Sequence, residues 1–185
     1  MYTIRPYREE DKKNIQDICL VSMGSENSPF ETQRYVLIMF CNYYVEQEPE
    51  NCFVVADEND EAVGYIVCAE DYDRYAEVFN KIYMPQIRAL SVRRQVDARL
   101  DMLGHGMFKK DYPAHLHINI YPEYRRIGAG SRLVDTLKGH LKSKGIHSLM
   151  LVVASDNIRA QRFYRRNKFK ELKFTGSGVA MGIRF

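Results

Sequence analysis

Two periods of apolar residues recur along this chain, one typical of strands and one typical of helices. Residues 115–121 place an apolar side chain at every second position, which predicts a strand. Pro122 ends that strand because proline has no N–H group to donate. Residues 131–144 instead carry leucine and valine at helical spacing, which predicts an amphipathic helix that ends at Gly145.

The same two periods assign the rest of the chain. The other predicted strands are residues 2–7, 52–56, 62–69, 148–154, 169–174 and 179–185. The other predicted helices are residues 11–23, residues 31–45 and a segment that ends near Asn167. Residues 57–61 are predicted to join two strands in a hairpin, and residues 176–178 to join the last two. This order of elements predicts a mixed α/β sheet flanked by helices.

Residues 71–112 form an insertion between the hairpin and the strand that follows it. Apolar residues recur at helical spacing from Tyr75 to Tyr83 and again, more loosely, from Ile87 to Leu103. Because glycine disfavours helix interiors, we expect the Gly104-His105-Gly106 sequence to interrupt the second helix. The insertion is therefore predicted to be a pair of helices that forms a wall or a lid.

The composition indicates one domain with a substantial core, since 45% of the 185 residues are hydrophobic. A net charge of +3 is too small to indicate a nucleic-acid-binding protein and is compatible with a small polyanionic ligand. No apolar leader or membrane-length apolar run occurs, so we expect a cytoplasmic protein that does not bind membranes. The cysteines lack metal-site spacing and are expected to be buried, reduced thiols: Cys19, Cys41, Cys52 and Cys68.

The turn at residues 125–131 has the features of an anion-binding site. Gly128 and Gly130 allow the backbone to approach a ligand closely. The first N–H groups of the following helix lack partners within the helix, and the helix dipole adds partial positive charge there. Arg125 and Arg126 add charge-assisted donors, each worth about 1.5–3 kcal/mol. These features predict a site for a pyrophosphate group.

Two common phosphate-binding motifs do not fit this turn. A P-loop requires Gly-Lys-Ser/Thr at the start of the helix, where this chain has Gly130, Ser131 and Arg132. A Rossmann motif requires a third glycine and an acidic residue at the end of the next strand, which here ends in Ala154-Ser155-Asp156. The turn therefore indicates a different class of anion-binding site.

The turn resembles the acyl-CoA-binding motif of the N-acetyltransferase (GNAT) superfamily, Arg/Gln-x-x-Gly-x-Gly/Ala, through Arg125, Gly128 and Gly130. Residues 157–169 are similar to the downstream pattern of that superfamily, N-x-x-A-x-x-F-Y-x-x-x-x-F. The two segments are separated by one helix and one strand, as in the superfamily. The resemblance implies a single GNAT-like domain over residues 1–185, with a mixed, splayed central sheet and the helical insertion before the fourth strand.

The resemblance also implies an activity, the transfer of an acetyl group from acetyl-CoA to an amine, and assigns residues to it. Main-chain groups of Ile118 and Ile120 would bind the pantetheine arm, and Asn157 would contact the coenzyme. Tyr164 would be the general acid that protonates the leaving thiolate. The expected coenzyme-binding residues are Ile118, Asn119, Ile120, Arg125, Arg126, Ile127, Gly128, Ala129, Gly130, Ser131, Asn157 and Tyr164. No metal site is expected.

A general base is also expected, because an amine with a pKa of about 10.4 must lose a proton. His115, His117 and Asn119 share one face of the predicted strand, and we select His117. The His-Leu-His sequence resembles that of arylalkylamine acetyltransferases, although its spacing to the arginine turn differs by one residue. The alternative candidates for the base are Glu70, Asp71 and Glu123.

Structural roles compete with these assignments. Tyr164 adjoins Phe163 on an apolar helix face and could simply fill the core, and His117 could be a hydrogen-bonded strand histidine. The remaining histidines, His105, His140 and His147, are expected to face solvent. The basic residues Arg162, Arg165, Arg166 and Lys168, and Arg93, Arg94 and Arg99 of the insertion, are expected to be solvated surface rather than a nucleic-acid site.

Three functions are compatible with the sequence. The first is an active acetyl-CoA-dependent N-acetyltransferase that acts on a small-molecule or protein amine, as a monomer or a homodimer. The second is a non-catalytic coenzyme-binding or interaction module, since the position of the insertion resembles that in the acetyltransferase-like domain of O-GlcNAc-removing glycosidases. The third is a nucleic-acid-associated adaptor that uses the arginine-rich helix faces. The first function accounts for both motifs.

Overall fold

The computed structural model describes residues 2–125, 128–175 and 178–185. The strands are β1 (Thr3–Pro6), β2 (Phe53–Ala56), β3 (Ala62–Ala69), β4 (Ala114–Ile120), β5 (Ser148–Ala154), β6 (Lys170–Phe174) and β7 (Gly178–Arg184). The α-helices are α1 (Lys12–Ser22), α2 (Phe30–Leu37), α3 (Tyr43–Gln47), α4 (Tyr72–Val78), α5 (Met84–Leu90), α6 (Val92–Gly106), α7 (Ala129–Ser143) and α8 (Ile158–Arg166). Two π-helical segments, Ile38–Asn42 and Phe79–Tyr83, join α2 to α3 and α4 to α5.

The strands form one sheet in the order β1-β2-β3-β4-β5-β7-β6. The pairs β1–β2, β2–β3 and β3–β4 are antiparallel, β4 is parallel to β5, and β7 is antiparallel to both β5 and β6. Each strand agrees with its predicted bounds to within one residue at either end. The predicted mixed α/β sheet is therefore confirmed. Gly176 and Ser177, predicted to join the last two strands, lie outside the described residues.

Helices cover both faces of the sheet. On one face, Ile15 and Ile18 of α1 pack in a cluster with Tyr65 of β3, and the helices of the insertion extend this cluster. On the other face, Leu133 of α7 is buried in a second cluster with Leu116 of β4. Burial of each such side chain contributes about 1.5–3 kcal/mol. Strand β4 lies between the two clusters, so its alternate side chains reach opposite layers of the protein.

The two parallel strands β4 and β5 separate along their length. Their register, within the described residues, consists of the pairs Ala114–Leu149 and His115–Met150. Strand β4 nevertheless continues to Ile120 and β5 to Ala154. The strands therefore diverge towards their carboxyl ends, which is the splayed sheet that the family resemblance implied.

The insertion is helical, as predicted, but its second helix is not interrupted. Helix α6 continues through Gly104 and Gly106 and ends at Gly106. A Cβ atom at Gly106 would lie 2.8 Å from the hydroxyl oxygen of Tyr72, so a glycine there permits close packing of α6 against α4. This tertiary contact outweighs the low intrinsic helix propensity of glycine, and the predicted interruption is wrong.

The four cysteines are free thiols in the interior, in agreement with the sequence-based prediction. Burial raises the pKa of the Cys19 thiol to about 11, which makes this thiol unreactive at neutral pH. Over the three described segments of the chain, none of the helices combines the length and the apolar composition needed to cross a membrane.

Candidate active site

A cleft of about 1200 Å³ opens where β4 and β5 diverge. It extends from the carboxyl end of β4, past the turn into α7, to the exposed side of α8. The predicted coenzyme-binding residues that line it are Ile118, Asn119, Ile120, Arg125, Gly128, Gly130, Ser131, Asn157 and Tyr164. Ala129, the first residue of α7, is buried, and Arg126 and Ile127 lie outside the described residues. The fold thus brings the two sequence motifs to one cleft.

The start of α7 forms one end of the cleft. Gly128 is the N-cap residue of the helix and has a φ of 83°, a left-handed conformation that favours glycine. Gly130 lies in the first turn, where the main-chain N–H groups have no partner within the helix. Helix α7 is 15 residues long, so its dipole places partial positive charge at this end. An anionic ligand would be stabilised here.

The edge of β4 forms one side of the cleft. The N–H group of Tyr121 donates to the carbonyl oxygen of Val63 in β3 at 3.0 Å. Because main-chain groups alternate in direction along a strand, those of Ile118 and Ile120 point away from β3, towards the gap. The Nε atom of Arg125 donates to the carbonyl oxygen of Ile120 at 2.7 Å, which fixes this arginine at the end of the gap.

Helix α8 contributes the second motif. The side chain of Asn157 accepts a hydrogen bond from the N–H group of Ala160 at 3.0 Å and so caps the helix. Tyr164 is only 8% exposed, and burial raises the pKa of its hydroxyl above the usual value. Among the residues that the structure describes, this hydroxyl has no hydrogen-bond partner. A buried phenol that lines the cleft and stays protonated is available to donate to a ligand.

The histidines of β4 lie on the face of the sheet opposite Leu116. The ring of His117 packs edge to face against Phe40 and Tyr44, with centroid separations of 5.3 and 5.2 Å. Burial, with a smaller effect of nearby His105, lowers the pKa of His117 to about 3. Next along this face, Asn119 donates from Nδ2 to the hydroxyl of Tyr65 at 2.8 Å. His117 is therefore neutral at pH 7 and a weak base.

Of the three histidines that were predicted to face solvent, two are at least partly buried. His105 is 4% exposed, and its ring lies 4.7 Å from that of buried His115, so its predicted solvent exposure is wrong. The tertiary fold places α6 over β4, which local sequence does not reveal. His140 is half-buried and contacts Asn51 through Nε2 at 2.8 Å, whereas His147 is exposed as predicted.

The three alternative bases lie away from the lining of the cleft. Glu70 forms an ion pair with Lys144, and Asp71 accepts a hydrogen bond from the N–H group of Arg74 at 2.8 Å as the cap of α4. Glu123 is exposed in a short 3-10 turn after β4. No group of three or more His, Cys, Asp or Glu side chains within the described segments is arranged to hold a metal ion.

Several residues that line the cleft were not predicted from the sequence. Ser22, at the end of α1, reaches the cleft although it is distant from both motifs, and its hydroxyl is buried without a partner among the described residues. Arg159, in the first turn of α8, also lines it. Burial and then the charge of Arg159 lower the pKa of Arg125, so the two guanidinium groups repel each other. An anion between them would relieve this repulsion.

The basic face of α8 also borders the cleft. Its exposed residues Arg162, Arg165 and Arg166 are solvated, as predicted, but they are part of the lining as well. The sequence could have predicted their shared position, since arginines at neighbouring turns of one helix lie on the same side. Positive charge therefore surrounds the cleft at the end that α7 and α8 form.

Comparison with known proteins agrees with this geometry. The chain is 26% identical to N-alpha-acetyltransferase 30 of Schizosaccharomyces pombe over 173 residues, which are 94% of this chain and 87% of that protein. The crystal structure of SsHAT has a TM-score of 0.88 at 25% identity and covers 99% of this chain and 98% of its own. The PaiA N-acetyltransferase of Thermoplasma acidophilum, solved in complex with coenzyme A, has a TM-score of 0.63 at 16% identity, with coverage of 100% and 99%. The model of the acetyltransferase (GNAT) family matches residues 15–169, and this chain therefore belongs to that family.

Proposed function

We propose that this protein catalyses the transfer of the acetyl group of acetyl-CoA to a primary amine. The observation that carries the proposal is the cleft of about 1200 Å³, which joins the gap between β4 and β5 to the amino terminus of α7. The volume and shape suit an extended ligand with an anionic end. Membership of the acetyltransferase (GNAT) family supports acetyl-CoA as that ligand.

The cleft offers partners for each part of the coenzyme. The first N–H groups of α7, with Arg125 and Arg159, would bind the pyrophosphate. The main-chain groups of Ile118 and Ile120 that face the gap would bind the amides of the pantetheine arm, as a further strand would. The Ile120 carbonyl already accepts from Arg125, which leaves its N–H group for this purpose. The thioester would then lie between β4 and Tyr164.

The reaction exchanges one bond to the acetyl carbon for another. The nitrogen of the neutral amine attacks the thioester carbonyl carbon, a C–N bond forms, and the C–S bond breaks. The nitrogen loses one proton to solvent, the leaving sulfur gains one from a general acid, and that acid takes a proton back from solvent. We assign to Tyr164 the role of donating the proton to the leaving sulfur, because its hydroxyl is protonated, buried and without a partner among the described residues.

The role of His117 follows from its environment. A base with a pKa of about 3 is too weak to remove a proton effectively from a free ammonium group with a pKa of about 10.4. We therefore propose that the ammonium form of the acceptor loses its proton to solvent before it binds. Neutral His117 then accepts a hydrogen bond from the attacking nitrogen. Activity should then rise with pH as the fraction of neutral amine rises.

The acceptor class is suggested by the relatives. The Schizosaccharomyces pombe relative is an N-alpha-acetyltransferase, which makes the α-amino groups of peptides one class to test. Small aliphatic amines are the second class. The panel should contain both, at equal concentration and at a pH where each is partly neutral.

Two measurements test the proposal. Calorimetric titration should show acetyl-CoA binding in the micromolar range, and release of free thiol should depend on the added amine. Binding without amine-dependent thiol release would support a non-catalytic coenzyme-binding module instead. Absence of binding would discard both functions and leave the nucleic-acid adaptor, which a titration with short DNA and RNA duplexes would examine.

A further inference from the structure

A second cavity, of about 300 Å³, lies between α2 with its π-helical extension and helix α6 of the insertion. Its lining is Tyr35, Phe40, Asp97, Leu100 and Asp101. It therefore combines two aromatic rings and a leucine with two carboxylates. Leu100 is 59% exposed, so the cavity opens to solvent beside this residue.

The two carboxylates belong to one face of α6, because Asp97 and Asp101 are separated by one helical turn. Neither side chain forms an ion pair or a hydrogen bond with another residue in the parts of the chain that the structure describes. Asp101 is half-buried, and this burial raises the pKa of its carboxyl group. The charge of nearby His105 offsets part of this effect, but no ion pair or hydrogen bond from the described residues compensates the burial of the carboxylate, so a cationic ligand would stabilise it.

The aromatic rings of the cavity suit a cation as well. The guanidinium group of Arg94 already lies 5.2 Å from the centroid of the Tyr35 ring. Arg94 also donates to the hydroxyl of Thr32 at 2.8 Å, which holds its charge on α2 rather than in an ion pair with the carboxylates. An ammonium group between aromatic rings and carboxylates gains both cation–π and charge–charge stabilisation.

The cavity lies one aromatic ring away from the strand that borders the acetyl-CoA cleft. The ring of Phe40 lines the cavity and also contacts the ring of His117, at a centroid separation of 5.3 Å. His117 precedes Ile118 and Asn119, which line the cleft. A molecule whose reacting nitrogen lies beside His117 could therefore place a second group in the cavity.

We infer that this cavity binds a second ammonium group of the acceptor, several bonds away from the nitrogen that is acetylated. The inference rests on the proposed acetyl transfer and names its substrate class, a primary amine with a further cationic group. This group could be the other end of an aliphatic diamine or the side chain of a lysine near the amino terminus of a peptide. The shared chemistry is an alkylammonium ion.

The test compares acceptors that differ by one charge. The first pair is 1,4-diaminobutane and n-butylamine, and the second is a pair of short peptides that carry lysine or norleucine at the second position. For the wild-type protein, kcat/KM should be at least about tenfold higher for the dicationic member of one pair or both. The pair that shows the preference identifies the source of the ammonium group.

Substitution of the carboxylates should remove this preference. Asp101→Asn and Asp97→Asn each keep the side-chain volume and remove the charge. We expect the ratio of kcat/KM for the dicationic acceptor to kcat/KM for the monocationic acceptor to fall towards one. Glu77→Gln, which changes an exposed carboxylate of α4 in the same insertion, is the matched control and should leave the ratio unchanged. Thermal unfolding of each variant checks its fold, and exposed Asp97 gives a second variant should Asp101→Asn unfold.

The outcomes separate this inference from the proposed function. If n-butylamine and the norleucine peptide are each acetylated as well as their dicationic partners, or if both aspartate variants keep the preference, the cavity is not the ammonium site and the acetyltransferase proposal stands. If acetyl-CoA binds but no amine in either pair is acetylated, the proposed function fails, and the inference fails with it.

Discussion

A Cβ atom at Gly130 would lie 3.0 Å from Cε2 of Phe163, closer than such contacts normally allow. Gly130 is in the first turn of α7 and Phe163 is in α8, so each belongs to a different sequence motif. The glycine is therefore needed for the approach of the two helices that form one end of the cleft. It also keeps the main-chain N–H groups of α7 open to a ligand.

Substitution of Gly130 should abolish coenzyme binding. In Gly130→Glu, the added side chain would collide with Phe163 and place a negative charge where the pyrophosphate is expected to bind. We expect the dissociation constant of acetyl-CoA, measured by calorimetry, to rise by about 100-fold or more. Gly139→Glu is the matched control on the same helix, because no atom lies within 4 Å of a Cβ at that position. Equal affinity in the two variants would contradict the assignment of the site.

Removal of the Tyr164 hydroxyl should slow turnover more than it weakens coenzyme binding. A general acid contributes about 10²–10⁴-fold to rate, so we expect kcat of Tyr164→Phe to fall by about 10²-fold while the dissociation constant of acetyl-CoA stays within about threefold. Because the hydroxyl has no partner among the described residues, the thermal midpoint should change little. Unchanged turnover would remove Tyr164 from the mechanism.

Arg159 should contribute to coenzyme affinity although neither motif consensus includes it. Its charge lowers the pKa of Arg125 in the free protein, and an anion between the two groups would gain from both. We expect Arg159→Ala to weaken acetyl-CoA binding by about tenfold, and by less at high ionic strength, because salt screens the interaction. Arg88→Ala, on the exposed side of α5, is the control for the loss of one positive charge. An equal loss of acetyl-CoA affinity in the two variants would indicate an effect of the net charge of the protein and would contradict a specific role of Arg159.

The sheet and the glycine turn at one end of the cleft were predictable because their signals are local. The alternation at residues 114–120 fixes a strand, and the glycines at 128 and 130 mark the turn that follows it. The divergence of β4 from β5 has no such local signal, since no sequence pattern indicates where the pairing of two parallel strands ends. It was predicted from the resemblance to a family and is observed after the pair His115–Met150.

The cluster of aromatic and histidine rings around His117 could not be predicted in the same way, because it is built from contacts between distant segments. Phe40, His105 and His117 come from a π-helical segment, the insertion and β4, and their rings form one group only in the folded chain. Local reasoning therefore placed His105 in solvent and interrupted α6 at its glycines. The close contact of Gly106 with Tyr72 is the kind of information that one sequence does not contain.

The buried histidines should make the protein less stable in acid. Burial lowers the pKa of His105 and His115 below the usual value of about 6.5 and that of His117 to about 3. Below pH 6.5 the unfolded chain therefore binds protons that the folded protein does not, so the free energy of unfolding falls as the pH falls. Each histidine contributes up to about 1.4 kcal/mol per pH unit to this slope.

The contribution of His105 and its neighbour Asp101 to this slope can be tested by substitution. His105 lies 4.7 Å from His115, and its Nε2 atom is unpartnered among the described residues, so His105→Leu removes a titrating ring without breaking a strong hydrogen bond at that atom. We expect urea midpoints between pH 7.5 and 5 to fall less steeply in this variant than in the wild type. Exposed His147→Gln is the matched control and should keep the wild-type slope. The raised pKa of Asp101 gives a slope of opposite sign, and because the charges of Asp101 and His105 interact, the difference between the variant and the wild type reports on this pair. Parallel curves for His105→Leu and the wild type would show that folding does not lower the pKa of this histidine.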